Sequence, residues 1–441
     1  MIRRVFTAAG LWGSAALGFL ATVLAARGFS HADFGRYGIV MGVVGFVQTL
    51  LDLTAEEAAI KYGFRYVAQE RWGKLRRLLE GTLVFKLAGG ILAAAVLVAV
   101  APFADAIWHG DTHMEVPLLL GAAIPLAQAP EGLAGVALYL RGRYDVRSLF
   151  LAVSMAFRLV AVAVGVRFGL VETFVGLALA QVAATTAVSV AGWLAYRRFP
   201  SAPAEPLGPD RRDVLRFVLQ SSAATGIISL RTTVTVPLLG AVTSVGQAAF
   251  YRVAQAPQTG FAMLSAPARM VLLTEQTRDW EHGSRRQVLR GVRRYSAGAA
   301  ALMVVLVPLL LWLMPDIVRL LFKAKNLGAV DAARFIVVAG ALQFVVGWSK
   351  SLPVALGRPN LRIWTHGLEV LVLLPLTAAF GVMWGATGGG AAMAVSSAVF
   401  AVVWAWLFVR ISRDVDAIPG PEPPPPGAAG VVEPPAEAVA P

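Results

Sequence analysis

The chain has 441 residues, of which 57% are apolar and only 15% are charged. Soluble domains carry about 25% charged residues, so this composition excludes an ordinary soluble protein and indicates an integral membrane protein. The formal net charge is +13, a value also typical of nucleic-acid-binding proteins. The sequence contains no cysteine, which excludes disulfides and metal sites built from thiolates.

Long apolar runs follow one another along almost the whole chain. A run of about 20 apolar helical residues is long enough to cross a bilayer. The first run follows "MIRR" and is longer than the core of a signal peptide, so we predict an uncleaved first span. We place twelve helices at roughly 5–27, 36–58, 81–103, 117–140, 148–167, 171–195, 213–238, 246–272, 295–314, 332–354, 361–383 and 386–410.

The basic residues are distributed unevenly between the two sides of these predicted spans. Most of the 39 Lys and Arg fall in one alternating set of loops, with clusters at 71–77 and 285–294. This alternation follows the positive-inside rule and predicts that both termini are cytoplasmic. The positive charge therefore indicates membrane topology, and we predict no nucleic-acid partner.

A segment rich in proline and charge, "RRFPSAPAEPLGPDRRD" (197–213), separates the first six spans from the last six. The halves repeat weakly at an offset of 214 residues, which pairs Tyr37 with Tyr251 and Arg71 with Arg285. Six spans per half give a parallel repeat about an axis along the membrane normal. We predict a six-helix lobe at 1–196, a cytoplasmic linker at 197–212, a second six-helix lobe at 213–410 and a disordered Pro-rich tail at 411–441.

The segment 27–79 resembles the polysaccharide-flippase pattern. The pattern has a short outer turn with glycine, an acidic-Phe-Gly-x-Tyr element, a helix that ends near an aspartate and a basic amphipathic helix. The matching residues are Asp33, Phe34, Gly35, Tyr37, Asp52 and "GKLRRLL" at 73–79. The acids in "DLTAEEAAI" depart from it, since small or polar residues are common there.

This resemblance places the chain in the superfamily of multidrug, oligosaccharidyl-lipid and polysaccharide exporters. It implies an all-α, V-shaped transporter of about twelve helices with a central cavity. It also implies that the protein moves lipid-linked oligosaccharides across the bacterial inner membrane. The implied partners are this substrate, membrane lipids, a polysaccharide polymerase and glycosyltransferases.

Ionisable and amide side chains inside the predicted spans indicate an aqueous cavity, because a charge at the bilayer centre costs several kcal/mol. Guanidinium groups bind phosphates through bidentate hydrogen bonds, and amides suit sugar hydroxyls. The alternative is that a basic side chain reaches the interface or pairs with a carboxylate. The predicted substrate-binding residues are Arg231, Arg252, Arg158, Lys350, Gln220, Gln255 and Gln343.

Carboxylates in the spans are candidates for coupling transport to an ion or a proton. Gln48, Asp52 and Glu56 recur at i, i+4 and i+8, so they share one face of the second helix. The alternative here is an exposed i, i+4 pair between Glu57 and Lys61. The predicted ion-coupling residues are Asp52, Glu56, Glu131 and Glu369.

Other motifs are weak or missing. "HGDTH" (109–113) lacks a convincing third ligand, so we predict no metal site, and no P-loop sequence occurs. No catalytic arrangement is visible in the sequence, and we predict no cofactor and no enzymatic activity. The leading prediction is a lipid-linked oligosaccharide flippase. The alternatives are a cation-coupled multidrug or metabolite exporter of the same superfamily and a non-transporting scaffold of a polysaccharide assembly complex.

Overall fold

A computed structural model describes residues 2–51, 55–108, 113–281, 285–356, 358 and 360–413. Helices and short 3-10 turns are the regular elements of this described part. The helices are α1 (Ile2–Gly28), α2 (His31–Leu51), α3 (Ala55–Ala68), α4 (Trp72–Val100), α5 (Ala104–Ile107), α6 (Glu115–Gly121), α7 (Ala123–Leu140), α8 (Tyr144–Gly165), α9 (Leu170–Tyr196), α10 (Asp210–Thr233), α11 (Thr235–Val242), α12 (Val245–Ala254), α13 (Ala256–Glu281), α14 (Arg285–Phe322), α15 (Val330–Val345), α16 (Leu352–Ala355) and α17 (Asn360–Arg413).

Within the described residues, nine helices are long and apolar enough to cross a membrane, or ten if α10 and α11, bent by 48°, form one span. Helix α17 is one of these nine, and it contains the last two predicted spans in one assigned element. Gly385 has φ +59°, and a Cβ on Gly388 would collide with the carbonyl oxygen of Phe380, so the chain folds back at this point. The predicted eighth span consists of α12 and α13. The all-α fold with two six-helix halves is therefore confirmed.

Several predicted boundaries differ from the observed ones. The basic segments 71–80 and 285–294 are not separate helices, because they continue directly into the apolar parts of α4 and α14. The tenth span ends at Val345, so Lys350 lies in a 3-10 turn beyond it. Helix α10 begins at Asp210, whose carboxylate accepts a hydrogen bond from the Tyr66 hydroxyl at 3.0 Å.

The two halves follow the predicted repeat. Helix α2 begins at His31 and α12 begins at Val245, which are separated by the predicted offset of 214 residues. Tyr37 and Tyr251, paired by the same offset, are both fully buried. Since α2 and α12 pack against each other, the equivalent helices of the two halves form part of the interface between them.

Hydrogen bonds join the halves at the end of the molecule that carries few basic loops, and we call this set of contacts the outer seam. The two ring nitrogens of His31 lie 3.2 Å from Asn326 Oδ1 and 3.0 Å from the Gly246 carbonyl oxygen. Lys323 Nζ donates a hydrogen bond of 3.0 Å to the carbonyl oxygen of Arg27. The cavity between the halves is therefore closed at this end.

The outer seam depends on the absence of a side chain at position 35. A Cβ on Gly35 would collide with the backbone carbonyl oxygen of Val245. We expect Gly35→Ala to open the seam, because a backbone clash of this kind costs about 1–3 kcal/mol. Spin labels on Phe168→Cys and Leu320→Cys, both exposed near this end, should report a longer distance by pulsed electron resonance.

The matched control is Gly38→Ala, one turn further along α2, where a new Cβ would meet its nearest neighbours at an ordinary 3.5 Å. The native chain has no cysteine, so only the introduced sites are labelled. An unchanged distance in Gly35→Ala would contradict this account of the seam.

Candidate substrate cavity

Two polar cavities meet near the centre of the molecule. The first, of about 480 Å³, lies mainly between α1, α10, α13 and α15, and the second, of about 360 Å³, lies mainly between α2, α7, α8 and α9. Thr232 and Arg252 line both cavities. The second half of the chain thus contributes side chains to the cavity of the first half, and the two spaces adjoin.

Most predicted substrate-binding residues line these cavities. The first cavity contains Arg231, Arg252, Gln255, Gln343 and Lys350. Arg158 lines the second cavity together with Arg252. Gln220 is exposed and lines neither of them.

The four predicted coupling carboxylates lie in different places. Glu131 lines the second cavity, and Glu369 is buried against His366, which lines the first. Glu56 lies at the start of α3. Asp52 falls outside the described residues. Of the predicted stripe on the second helix, Gln48 and Glu56 belong to the described residues.

Arg231 and Glu369 form a buried ion pair. Arg231 Nε lies 3.3 Å from Glu369 Oε1, and the two residues are 8% and 1% exposed. Gln343 Nε2 donates to the same carboxylate oxygen at 2.9 Å, and His366 Nδ1 lies 3.1 Å from the other one. The carboxylate thus joins three spans of the second half, because His366 and Glu369 belong to the same one. The sequence left open whether each basic residue binds substrate or pairs with a carboxylate. In this conformation Arg231 pairs with a carboxylate.

The first half contains its own buried carboxylate, in a different span. Arg147 Nη1 lies 3.1 Å from Glu131 Oε1, and Gln181 Nε2 donates to Oε2 at 3.1 Å. Near the start of the third span, Lys86 Nζ lies 2.9 Å from Glu56 Oε1, and Lys86 is only 2% exposed. Each of these carboxylates has a basic partner, so each pair reduces the cost of burying charge.

Sequence reasoning missed three of these partners: Lys86, Arg147 and Gln181. In the sequence Arg147 looks like one of the basic loop residues, because it lies only one turn inside α8 and close to a cluster of them. Lys86 stands alone in an apolar stretch of α4, and its partner Glu56 belongs to α3. A lone lysine well inside a span is itself a signal, because it needs a partner from another helix.

Arg158 and Arg252 differ from the other arginines of the cavities. Within the described part of the chain, neither guanidinium forms an ion pair with a carboxylate. Arg252 Nη1 donates to Gln255 Oε1 at 3.2 Å, and its Nε is buried without a hydrogen-bond partner. Arg158 Nη2 lies 3.9 Å from the sulfur of Met41.

The two guanidiniums come from opposite halves, α8 and α12, and both face the second cavity. Each guanidinium has five N–H donors, and the contacts given above use only part of them. A phosphate group satisfies such donors through charge-assisted hydrogen bonds. The arrangement therefore suits an anionic ligand held between the halves.

A family model described as "Polysaccharide biosynthesis protein" matches residues 5–273. The chain belongs to this family. Because the match extends from α1 into α13, it includes both arginines of the shared cavity wall. No curated protein matches the chain.

Solved structures show the same fold. An inward-facing multidrug resistance MATE family transporter of the MOP superfamily has a TM-score of 0.76 at 13% identity, covering 91% of this chain and 96% of its own. The lipid II flippase MurJ in an inward closed conformation has a TM-score of 0.68 at 12% identity, with 94% and 91% covered. An outward-facing MATE structure has a TM-score of 0.62 at 14% identity, with 94% and 96% covered. This polysaccharide biosynthesis family member thus has the fold of MOP superfamily transporters and is a multi-pass membrane protein.

We expect Arg231→Met to lower the free energy of unfolding by about 3–5 kcal/mol, because it removes the guanidinium partner of the buried Glu369 carboxylate. Adding Glu369→Gln should recover most of this loss. Thermal unfolding in detergent, followed by the fluorescence of the 11 tryptophans, measures the effect.

Asp331→Asn is the matched control, since it breaks an exposed pair with Arg334 of similar length, 3.1 Å. This change should cost less than about 1 kcal/mol. If the double variant is no more stable than Arg231→Met alone, the pair does not hold these spans together.

Proposed function

We propose that the protein flips polyprenyl-diphosphate-linked oligosaccharide units across the bacterial inner membrane for the synthesis of a surface polysaccharide. The observation that carries the proposal is the pair of guanidiniums, Arg158 and Arg252, without carboxylate partners in the shared cavity wall. A diphosphate has the charge and the acceptor oxygens that these donors lack.

Amide side chains around the arginines suit the sugar part of the substrate. Gln48 donates to Gln128 at 2.8 Å on one wall of the second cavity, and Gln255 and Gln258 lie on the first. Amides donate and accept hydrogen bonds, so they can exchange water for sugar hydroxyls.

An apolar groove beside the first cavity suits the lipid part. This third cavity, of about 240 Å³, shares Phe19, Ala256 and Phe261 with the first. Its walls are almost entirely apolar and come mainly from α13 and α14. A substrate with a charged head and a hydrocarbon tail matches this pairing of a polar space with an apolar one.

The proposed mechanism is alternating access, in which the two halves rock against each other. In the described conformation the outer seam is closed, so the head group enters from the opposite, basic side. Opening the seam then releases the head group outward while the tail stays in lipid. The closed seam combines these hydrogen bonds with apolar packing of α2 against α11 and α12, so both kinds of contact must separate when it opens.

The predicted coupling residues remain proposals within this mechanism. Glu131 and Glu369 each hold a buried arginine, so protonation of either carboxylate would free a guanidinium. We also retain Asp52 and Glu56 as coupling candidates. The cytoplasmic location of both termini, the division at 197–212 and association with a polymerase or glycosyltransferases belong to the same proposal.

A cation-coupled multidrug or metabolite exporter is the second candidate, favoured by the likeness to MATE transporters. The unpaired guanidiniums argue against it, because like charges in a dehydrated cavity repel cationic substrates. The fold is therefore compatible with both functions, and the charge of the cavity favours the anionic substrate.

The test is translocation of a fluorescent polyprenyl-diphosphate oligosaccharide by the purified protein in liposomes. Arg158→Gln and Arg252→Gln should each slow translocation about ten- to a hundredfold, since a hydrogen bond to a charged group contributes about 1.5–3 kcal/mol. Arg290→Gln, an exposed arginine of α14, is the matched control and should have no effect.

Wild-type rates in the double variant Arg158→Gln/Arg252→Gln would overturn the assignment of the site. If the unaltered protein translocates no lipid-linked substrate but extrudes organic cations, the exporter function replaces the proposal. Inactivity toward both substrates would favour a non-transporting scaffold.

The apolar groove gives an independent prediction. Gly260 lines it, and a Cβ there would meet no atom within 4 Å, so Gly260→Phe introduces a bulky side chain at the groove from an open position. We expect slower translocation because the tail is displaced, with unchanged thermal stability. Gly298→Phe, at another open and exposed glycine, is the control. Equal rates in both variants would contradict a role of the groove.

A further inference from the structure

The largest of the cavities is not part of the central site. It is a slot of about 790 Å³ between α4 of the first half and α10 of the second, and we call it the α4–α10 slot. One end lies under linker residues 206–208, and its walls toward the membrane are apolar. The lining residues used in the argument are Arg77, Glu80, Gly81, Val84, Arg211 and Leu215.

The basic end of the slot is held in place by the linker. The Glu205 backbone amide donates to the Gly73 carbonyl oxygen at 3.1 Å, and Arg76 Nη1 donates to the Ala202 carbonyl oxygen at 3.3 Å. Lys74 Nζ lies 3.4 Å from Asp210 Oδ2 at the start of α10. These bonds fix the first turn of α10 against α4, so the opening between them is a built feature of the fold.

Two guanidiniums stand at this end with little compensating charge. Arg77 is 60% exposed and lies 3.9 Å from Glu80, whose other oxygen is 2.9 Å from Arg76. Arg211 is exposed, and its side chain forms no ion pair within the described residues. Among the residues that line the slot, the two guanidiniums of Arg77 and Arg211 thus outnumber the one carboxylate, Glu80.

The other end of the slot leads to exposed apolar side chains on α4 and α10. In a membrane such side chains face the hydrocarbon of lipids. Val84 is 67% exposed on α4, and Leu215 is 39% exposed on the facing α10. An occupant must therefore combine an anionic group with hydrocarbon. The positive-inside pattern puts this end at the cytoplasmic leaflet, which is rich in anionic lipids.

We propose that the α4–α10 slot binds one anionic phospholipid. The phosphodiester lies between Arg77 and Arg211, and an acyl chain runs between Val84 and Leu215. Because the walls belong to opposite halves, the bound lipid links the spacing of α4 and α10 to the lipid composition of the membrane. This binding is separate from the proposed transport of an oligosaccharide lipid, since the slot shares no lining residue with the two polar cavities.

Native mass spectrometry of the full protein tests the proposal with palmitoyl-oleoyl phosphatidylglycerol and, for comparison, the phosphatidylcholine with the same chains. We expect one phosphatidylglycerol to remain bound under conditions that remove phosphatidylcholine. Arg77→Gln/Arg211→Gln should weaken its binding at least about tenfold, since each charge-assisted bond contributes about 1.5–3 kcal/mol. The matched control is Arg290→Gln/Arg294→Gln on the exposed basic face of α14.

A second variant tests the slot itself while keeping every charge. Gly81 lines it, and a Cβ there would meet no atom within 4 Å, so Gly81→Phe introduces a bulky side chain at the slot from an open position. Loss of phosphatidylglycerol in this variant supports the slot. Retention in Gly81→Phe, equal loss in the α14 control, equal binding of both lipids or displacement by inorganic phosphate would each overturn the proposal.

Discussion

The cost of burying charge in a low-dielectric interior governs how this protein is organised. Isolated charges within a membrane protein are expensive, so they find a partner, reach water or serve a ligand. Glu369 and Glu131 each hold a buried arginine, and Lys86 is held by Glu56. Arg158 and Arg252 have no such partner among the described residues, which makes the cavity wall that they share the natural place for an anion.

The two halves share an arrangement of helices but differ in the positions of their buried ion pairs. Helices α2 and α12 begin 214 residues apart and pack against each other. The buried carboxylates, however, lie in α7 of the first half and α17 of the second. Glu131 joins α8 and α9, whereas Glu369 joins α10 and α15. Each half therefore contains a different buried ionic network, although the two halves share an arrangement of helices.

The contacts between the halves are of a kind that can separate. At the outer seam the hydrogen-bonding partners are backbone carbonyl oxygens, a histidine ring, an asparagine and a lysine, beside apolar packing of α2 against α11 and α12. The three buried ion pairs, Arg231–Glu369, Arg147–Glu131 and Lys86–Glu56, each lie within one half, whereas the partly exposed pair Lys74–Asp210 links α4 to α10. A transporter needs this difference, because its halves must part while each half stays intact. The ion pairs within the halves hold Arg147 and Arg231 in place in the described conformation.

The sequence alone determined the membrane class, the span number and the halves, because these follow from the length of apolar runs, from the alternation of basic loops and from a repeat offset. It also identified Arg158, Arg231, Arg252 and Glu369 as candidate functional residues, because a charged side chain inside a span needs a partner, water or a ligand. Only the tertiary structure decided which of these charges are neutralised. Arg231 meets Glu369 across 138 positions of the chain, and Arg252 meets no carboxylate of the described residues. Ion pairing acts over about 4 Å in space, and no periodicity along one helix encodes which other helix supplies the partner.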